Sequence, residues 1–214
     1  MRCTLFCATD GDAGQTSGLH VASKAELGLV RRKELDAAAR ILGLHRVESA
    51  GHPDGALGAV NQEELIAQIV RHLRRERPQI VITFGPEGAP NSHRDHKVIS
   101  RAATAAFFLA SRSTAYAEQL RDGLKTHTPH RLYYATWPEP GPDAELQVQG
   151  VPATARIDVR KFRETELAAF HAHASQQALH QRFEELSATD EELFALAAGA
   201  VQPSAMIDDL FAGL

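Results

Sequence analysis

Ile80-Val81-Ile82-Thr83-Phe84 is an almost unbroken run of β-branched residues, and it predicts a buried β-strand. Glycines and prolines between residues 85 and 90 then require a loop, and Val98-Ile99 begins a helical pattern. In an open α/β sheet, ligands bind outside the carboxyl ends of the strands. This strand–loop–helix order therefore indicates both the fold class and the place where a functional site is expected.

The loop after this strand contains two histidines and an aspartate, His93, Asp95 and His96. Neutral imidazole is the commonest metal ligand, and a second histidine beside it can move protons near neutral pH. Taken alone, histidines at this spacing are more often solvated residues beside a helix N-terminus, where aspartate is a good cap. Their position just past a buried strand favours a functional site.

Strands and helices alternate along the rest of the chain. Further strands are predicted near residues 3–8, 47–50, 131–137 and 155–159, and helices over 24–42, 61–76, 96–108 and 161–173. The acidic, alanine-rich tail from Leu186 onward is predicted to form one or two more helices, and Arg74 is expected on a solvated helix face. The alternation predicts an α/β fold: a three-layer, Rossmann-like, mostly parallel sheet with helices on both faces.

Two other strand ends carry residues that suit a ligand. The first strand leads into Thr9-Asp10-Gly11-Asp12-Ala13-Gly14, and the second leads into Gly51-His52-Pro53-Asp54-Gly55. Each segment alone is as typical of a surface turn as of a site. If the strands are parallel and close together, these loops converge with the histidine loop, and this is the main argument for one active site.

Composition limits the classes of partner. The chain has 214 residues and a net charge of −4, without a basic face for nucleic acid, so a small-molecule substrate is expected. No stretch approaches the roughly 18 apolar residues of a membrane span, and no signal peptide is evident. Cys3 and Cys7 share one face of a predicted strand and are interpreted as small buried hydrophobic residues. These features predict a cytoplasmic protein.

Read in order, these segments resemble the de-N-acetylase family that includes the N-acetylglucosaminyl-phosphatidylinositol de-N-acetylases and the LmbE-like proteins. The resemblance runs over most of the chain and rests on five motifs that lie in this order. The motifs are Thr9-Asp10-Gly11-Asp12-Ala13-Gly14, Arg31-Arg32-Lys33-Glu34-Leu35, Pro53-Asp54-Gly55, His93-Arg94-Asp95-His96 and His173-Ala174-Ser175-Gln176. In the histidine motif, Arg94 stands where the family has proline.

The resemblance implies roles for individual residues. It makes His96 a zinc ligand, and it makes His93 the general acid or the imidazolium that steadies the oxyanion. Asp95 is implied to orient one of those imidazoles, and Arg31 and Asp54 match positions that contact the sugar. The implied protein is a zinc-dependent hydrolase that removes an acyl group from an N-acetylated amino sugar or a similar small amide.

One family motif has no counterpart in the sequence. The family's N-terminal His-Pro-Asp-Asp, which supplies the other zinc ligands and the general base, lies on a strand before the one that begins at Cys3. We therefore expect a single domain over residues 1–214 that lacks its first strand and helix, on the order of 30 residues. Zinc is expected to bind weakly or not at all. The groove beside the strand at 80–84 is expected to stay open, or to be filled by a neighbouring chain, as in a homo-oligomer, or by the chain's own tail.

Two alternatives stay open at this point. His52 and Asp54, within His-Pro-Asp, could supply a metal site that is completed by His93 and His96, although this segment is not on the opening strand. The chain could also be a non-catalytic, Rossmann-like protein that binds a sugar or a nucleotide. Tightly bound zinc would favour the enzyme over the binding protein.

Overall fold

The computed structural model divides into two compact units. It describes residues 1–18, 20–89, 91–137, 149–186, 189–200 and 206–214. The first unit comprises Met1–Leu57 and Val159–Asp190, and the second comprises Gly58–Asp158 and Glu191–Leu214. Helices and strands alternate as predicted, so the α/β class is confirmed. That the whole chain forms one domain stays a prediction.

The elements follow the sequence pattern closely. The strands are β1 (Thr4–Thr9), β2 (Arg46–His52), β3 (Ile80–Phe84), β4 (Arg131–Ala135), β5 (Ala155–Asp158) and β6 (Glu191–Gly199). The α-helices are α1 (Lys24–Leu42), α2 (Gln62–Glu76), α3 (Arg94–Leu109), α4 (Ala117–Arg121), α5 (Arg163–His171) and α6 (His180–Leu186). A 3₁₀ segment, Ala174–Leu179, lies between α5 and α6.

The first unit is built on a parallel pair of strands, β1 and β2. Helix α1 connects them, as a parallel pair requires. Ser23 caps this helix by accepting a hydrogen bond from the Glu26 amide, and Gly43 ends it in the left-handed conformation with φ 68°. Helix α5 packs against α1, and the 3₁₀ segment that follows α5 also contacts α1 within this unit.

The second unit contains a four-stranded mixed sheet in the order β3-β4-β6-β5. Strands β3 and β4 are parallel, whereas β6 is antiparallel to both of its neighbours. Strand β3 was predicted to be buried, but within the described part of the chain it pairs with β4 alone, and Ile82 is 49% exposed. Its apolar run therefore lies at an edge of the sheet.

The prediction of helix for the C-terminal tail is wrong over Glu191–Gly199, which forms β6. Alanine favours helices in isolation, but tertiary pairing overrides that preference. Strand β6 lies between β4 and β5, where Phe194 and Ala195 are both buried, and Phe194 packs against Tyr133 and neighbouring apolar side chains.

The prediction that Arg74 is solvated is also wrong, since only 1% of the residue is exposed. Its guanidinium donates hydrogen bonds to the carbonyl oxygens of Ala110 (3.2 Å), Arg112 (2.8 Å) and Ala115 (2.9 Å), at and beyond the C-terminal end of α3. These carbonyls have no partner within the helix, and their partial negative charge suits a cation. Burial lowers the pKa of Arg74 below its ordinary value.

Two expectations about the surface can be compared with the structure. Both cysteines were expected to be buried, but Cys3 is exposed and only Cys7 is half-buried. Neither forms a disulfide, as expected. Among the residues described, no helix is both long and apolar enough to cross a bilayer.

The open edge of β3 gives a testable prediction. Natural edge strands usually carry charges, prolines or bulges that block pairing with another chain, and Ile80–Phe84 carries none of these. We expect the protein to self-associate at concentrations on the order of 100 μM, and Ile82→Lys to keep it monomeric. Sedimentation velocity over a concentration series measures both.

Ile41→Lys is the matched control, because Ile41 is an exposed isoleucine (41%) on α1 in the other unit. It should leave self-association unchanged. A wild-type protein that is monomeric throughout the series, or an equal effect of the two variants, would contradict the assignment of β3 as the pairing edge.

Candidate active site

The histidine loop joins β3 to α3 in the second unit. A turn follows the strand, in which the Gly88 amide donates to the Gly85 carbonyl oxygen at 3.0 Å and Gly88 has φ +76°. Glycine adopts this conformation without strain. The helix begins at Arg94, two residues earlier than predicted, so His93 precedes its first turn and Asp95 and His96 lie within it.

His93 is the N-cap of α3, a position in which aspartate was expected. Its Nδ1 accepts a hydrogen bond from the Asp95 amide at 3.2 Å. A ring whose Nδ1 accepts in this way carries its proton on Nε2 when it is neutral. The residue is exposed, so this Nε2–H is available to a ligand.

The ring of His96 is fixed on two sides. It stacks on Phe84 with ring centroids 3.9 Å apart and an angle of 5° between the planes, and its Nδ1 lies 3.4 Å from the Gly88 carbonyl oxygen. With a proton on Nδ1 for this carbonyl, Nε2 presents a lone pair, which is the usual arrangement of a metal-binding histidine. Burial lowers the pKa of His96, and this favours the neutral form that can bind a metal.

Asp95 lies between the two histidines and is 6% exposed. The rings of His93 and His96 are tilted, with centroids 5.2 Å apart, so the structure brings the predicted pair together. The backbone amide of Asp95 donates the hydrogen bond by which His93 caps the helix. That its carboxylate orients an imidazole stays a prediction.

The residues described do not fit a complete zinc site. Zinc in hydrolases is held by three protein ligands, and among the described residues no group of three or more histidine, cysteine, aspartate or glutamate side chains could hold a metal ion. His96 has the donor atom and the hydrogen-bonded partner that one such ligand needs. Zinc binding through His96 therefore stays a prediction.

Glu87, in the same loop, was not identified from the sequence. Both of its carboxylate oxygens are buried and have no hydrogen-bond partner among the described residues. The carboxylate folds back on Gly85, where a side chain would overlap it. A buried carboxylate without a partner is costly, so this residue is expected to lower the stability of the fold.

Glu87→Gln should therefore stabilise the protein, which is the opposite of the usual effect of a buried substitution. Removing the unpaired charge should raise the free energy of unfolding by about 1 kcal/mol, or Tm by about 2–4 °C. Differential scanning calorimetry measures the change. Glu64→Gln, an exposed glutamate in the same unit, is the control and should leave Tm unchanged or slightly lower. A lower Tm for Glu87→Gln would show that its carboxylate has a stabilising partner.

In the first unit, the loop after β1 organises the loop after β2. The Asp54 amide donates to Asp12 Oδ1 at 2.7 Å, and the Ser49 hydroxyl donates to Asp10 Oδ1 at 2.6 Å. Asp10 and Asp12, together with Arg32 and His52, also line a cavity of about 340 Å³. The predicted convergence of these two strand-end loops is therefore observed. That Asp54 shares a cleft with the histidine loop stays a prediction.

Arg31 lies across the turn that follows β1. Its guanidinium approaches Gly11 and Gly14 so closely that a methyl group on Gly14 would come within 2.7 Å of its Nη1 nitrogen. This Nη1 is buried and has no hydrogen-bond partner among the described residues, whereas the side chain as a whole is 20% exposed. A charged side chain that is held in place and partly exposed suits a polar group of a substrate.

Glu34 joins two motifs that are 141 residues apart. Its Oε1 accepts from the Ser175 amide and its Oε2 from the Ser175 hydroxyl, both at 2.7 Å, and all of these groups are buried. Gln176 donates to the Gln15 carbonyl oxygen at 2.8 Å and so holds the loop after β1. The sequence motifs contained these residues, but nothing in their spacing indicated that they touch.

His173 is a further neighbour of Glu34, with its Nδ1 3.9 Å from Glu34 Oε2. This nitrogen is buried and has no hydrogen-bond partner in the part of the chain that is described. Burial, and to a lesser extent the neighbouring Arg31, lowers the pKa of His173. The ring is therefore expected to be neutral at neutral pH.

Comparison with known proteins identifies the family. The model of the GlcNAc-PI de-N-acetylase (PIG-L) family matches residues 1–107, half of the chain. The chain belongs to this family. The match includes the Arg31–Leu35 motif and the histidine loop, so the resemblance inferred from these motifs is confirmed.

Two curated relatives and one solved structure resemble this member of the GlcNAc-PI de-N-acetylase family. The 1D-myo-inositol 2-acetamido-2-deoxy-alpha-D-glucopyranoside deacetylase of Rhodococcus erythropolis is 27% identical, over 99% of this chain and 87% of that protein. A probable N-acetyl-alpha-D-glucosaminyl L-malate deacetylase 2 of Bacillus anthracis is 28% identical, over 82% and 69%. The N,N'-diacetylchitobiose deacetylase of Pyrococcus horikoshii has a TM-score of 0.73 at 21% identity, over 94% and 76%, and this likeness shows the fold.

Proposed function

We propose that this member of the GlcNAc-PI de-N-acetylase family hydrolyses the amide of an N-acetylated amino sugar. The two curated relatives support this, because both are named as deacetylases of an acetamido sugar, linked to inositol in one case and to malate in the other. Water adds to the carbonyl carbon, the C–N bond breaks, and acetate and a free amine leave. The observation that carries the proposal is the pair of oriented histidines, His93 and His96, at the carboxyl end of β3.

The cap hydrogen bond limits what His93 can do. While Nδ1 accepts from the Asp95 amide, the neutral ring can donate a hydrogen bond from Nε2 to the oxyanion of the tetrahedral intermediate. To act as a general acid it must first gain a second proton on Nδ1, and the cap would then be lost. The geometry therefore supports His93 as a hydrogen-bond donor to the oxyanion and not as the general acid.

His96 is proposed as a zinc ligand through Nε2, with weak binding because three-ligand clusters are absent among the described residues. Arg31 is proposed to bind a polar group of the sugar through its partly exposed side chain, and Asp54 a sugar hydroxyl. Zinc, when bound, would supply electrophilic activation of the carbonyl.

His93→Asn tests the catalytic assignment without removing the cap, because asparagine is a good N-cap residue. We expect the rate of acetate release from an N-acetylglucosaminide to fall by about 10²–10³-fold, the usual loss when one oxyanion donor is removed. Tm should stay close to the wild-type value. His45→Ala, at an exposed histidine outside the loop, is the control and should leave the rate unchanged. A His93→Asn protein that turns over at the wild-type rate would contradict the role of His93.

His96→Ala tests the metal assignment by isothermal titration with zinc. We expect it to abolish the weak zinc binding of the wild-type protein, while His93→Asn should leave that binding intact. Zinc affinity that survives His96→Ala would move the metal to other residues, for example the alternative that uses His52 and Asp54.

A sugar-binding protein without turnover is the second candidate. The absence of a three-ligand metal cluster among the described residues favours it. Calorimetric binding of N-acetylglucosamine together with no acetate release, before and after addition of zinc, would support this candidate over the hydrolase.

A further inference from the structure

One buried carboxylate oxygen in the first unit has three polar neighbours. Oε2 of Glu34 accepts from the Ser175 hydroxyl at 2.7 Å, and it lies 3.9 Å from both Arg31 Nε and His173 Nδ1. Glu34 is 8% exposed, so its charge is removed from water and needs a compensating cation. Arg31 is the permanently charged group among these neighbours, since burial favours the neutral form of His173.

The position of Glu34 constrains how Arg31 can lie. The two residues are one helical turn apart on α1, so their side chains leave the same face of the helix. Ser175 holds the carboxylate through both oxygens, and this fixes the place of the negative charge. The guanidinium is then held between this charge and the glycines of the turn after β1, where Gly11 and Gly14 leave room for it.

We infer that Glu34 is a positioning residue that holds Arg31 in the orientation needed to contact the substrate. This inference rests on the proposed function, in which Arg31 binds a polar group of the sugar. Glu34 itself does not touch the substrate. Its two hydrogen bonds to Ser175 anchor the carboxylate, and the anchored charge orients the guanidinium of Arg31, whose side chain stays 20% exposed to a ligand.

The first arm of the test observes Arg31 directly by nuclear magnetic resonance. The Arg31 Nε–Hε signal, assigned by its loss in Arg31→Lys, should be distinct and rigid in the wild-type protein. Glu34→Gln should shift it to the averaged arginine position and lower its heteronuclear NOE. Asp36→Asn removes the same charge from an exposed position on α1 and should leave the signal unchanged.

Ser175→Ala tests the anchoring of the carboxylate. It keeps the charge and the bond from the residue 175 amide to Oε1 but removes the bond to Oε2, so the Arg31 signal should be partly averaged, less than in Glu34→Gln. If Glu34→Gln does not fold, Glu34→Asp keeps the charge and withdraws it by one methylene, and the Arg31 signal should be partly averaged. An unchanged Arg31 signal in the folded Glu34 variant overturns the inference.

The second arm uses acetate release and a double-mutant cycle. Glu34→Gln should raise KM about tenfold with kcat changed less than about twofold, because only substrate binding is weakened. In an Arg31→Ala background, the same substitution should have no further effect on KM, because Glu34 acts through Arg31. The inference would be overturned if the effects of Glu34→Gln and Arg31→Ala on KM were additive, or if Glu34→Gln lowered kcat and left KM unchanged.

The two arms distinguish this inference from the proposed function. If the wild-type protein releases no acetate, the proposed function fails, and the resonance of Arg31 still decides whether Glu34 orients it. If acetate is released and Arg31 is ordered by Glu34, but neither Arg31→Ala nor Glu34→Gln changes KM, then Arg31 does not bind the substrate and the inference is overturned.

Discussion

The buried carboxylate of Glu34 is the interaction on which the organisation of the first unit depends. It takes both hydrogen bonds of Ser175 and thereby attaches the 3₁₀ segment Ala174–Leu179 to α1. That segment in turn holds the loop after β1 through Gln176, and Arg31 lies over the same loop. Without the carboxylate, a buried amide and hydroxyl would have no acceptor, and the guanidinium would lose its counter-ion.

In the second unit, the comparable constraint is the turn at residues 85–88, which opens the connection between β3 and α3. Gly85 and Gly88 allow the chain to reverse within four residues, so the first turn of α3 starts close to the end of the strand. His93 then serves as a helix cap while it faces solvent, and His96 is clamped between Phe84 and the Gly88 carbonyl. One local geometry thus fixes both rings and decides which nitrogen of each is available.

Much of this organisation could be predicted from local sequence. The strand at Ile80–Phe84 and the helix at Lys24–Leu42 have strong patterns and clear end signals, and both form as predicted. The histidine loop was located correctly, because a strand followed by glycines and a helical pattern fixes its place in an α/β fold. The family followed from the order of the motifs, and comparison confirms it.

Features that depend on distant partners could not be predicted. The run Glu191–Gly199 has helical composition, but it is a strand because β4 and β5 both pair with it. The sequence places Arg74 on the polar face of a helix, but in the structure it is buried and donates hydrogen bonds to carbonyl oxygens beyond α3. The contact of Glu34 with Ser175 spans 141 residues, and no local pattern encodes such a contact. The unpaired carboxylate of Glu87 likewise depends on how the turn folds back on Gly85.

The most direct test of this account is the coupling free energy between Glu34 and Ser175, measured by urea unfolding of Glu34→Gln, Ser175→Ala and the double variant. A buried hydrogen bond to a carboxylate predicts a coupling of about 1.5–3 kcal/mol. Additive losses, with a coupling below about 0.3 kcal/mol, would contradict the claim that this carboxylate holds the two motifs together.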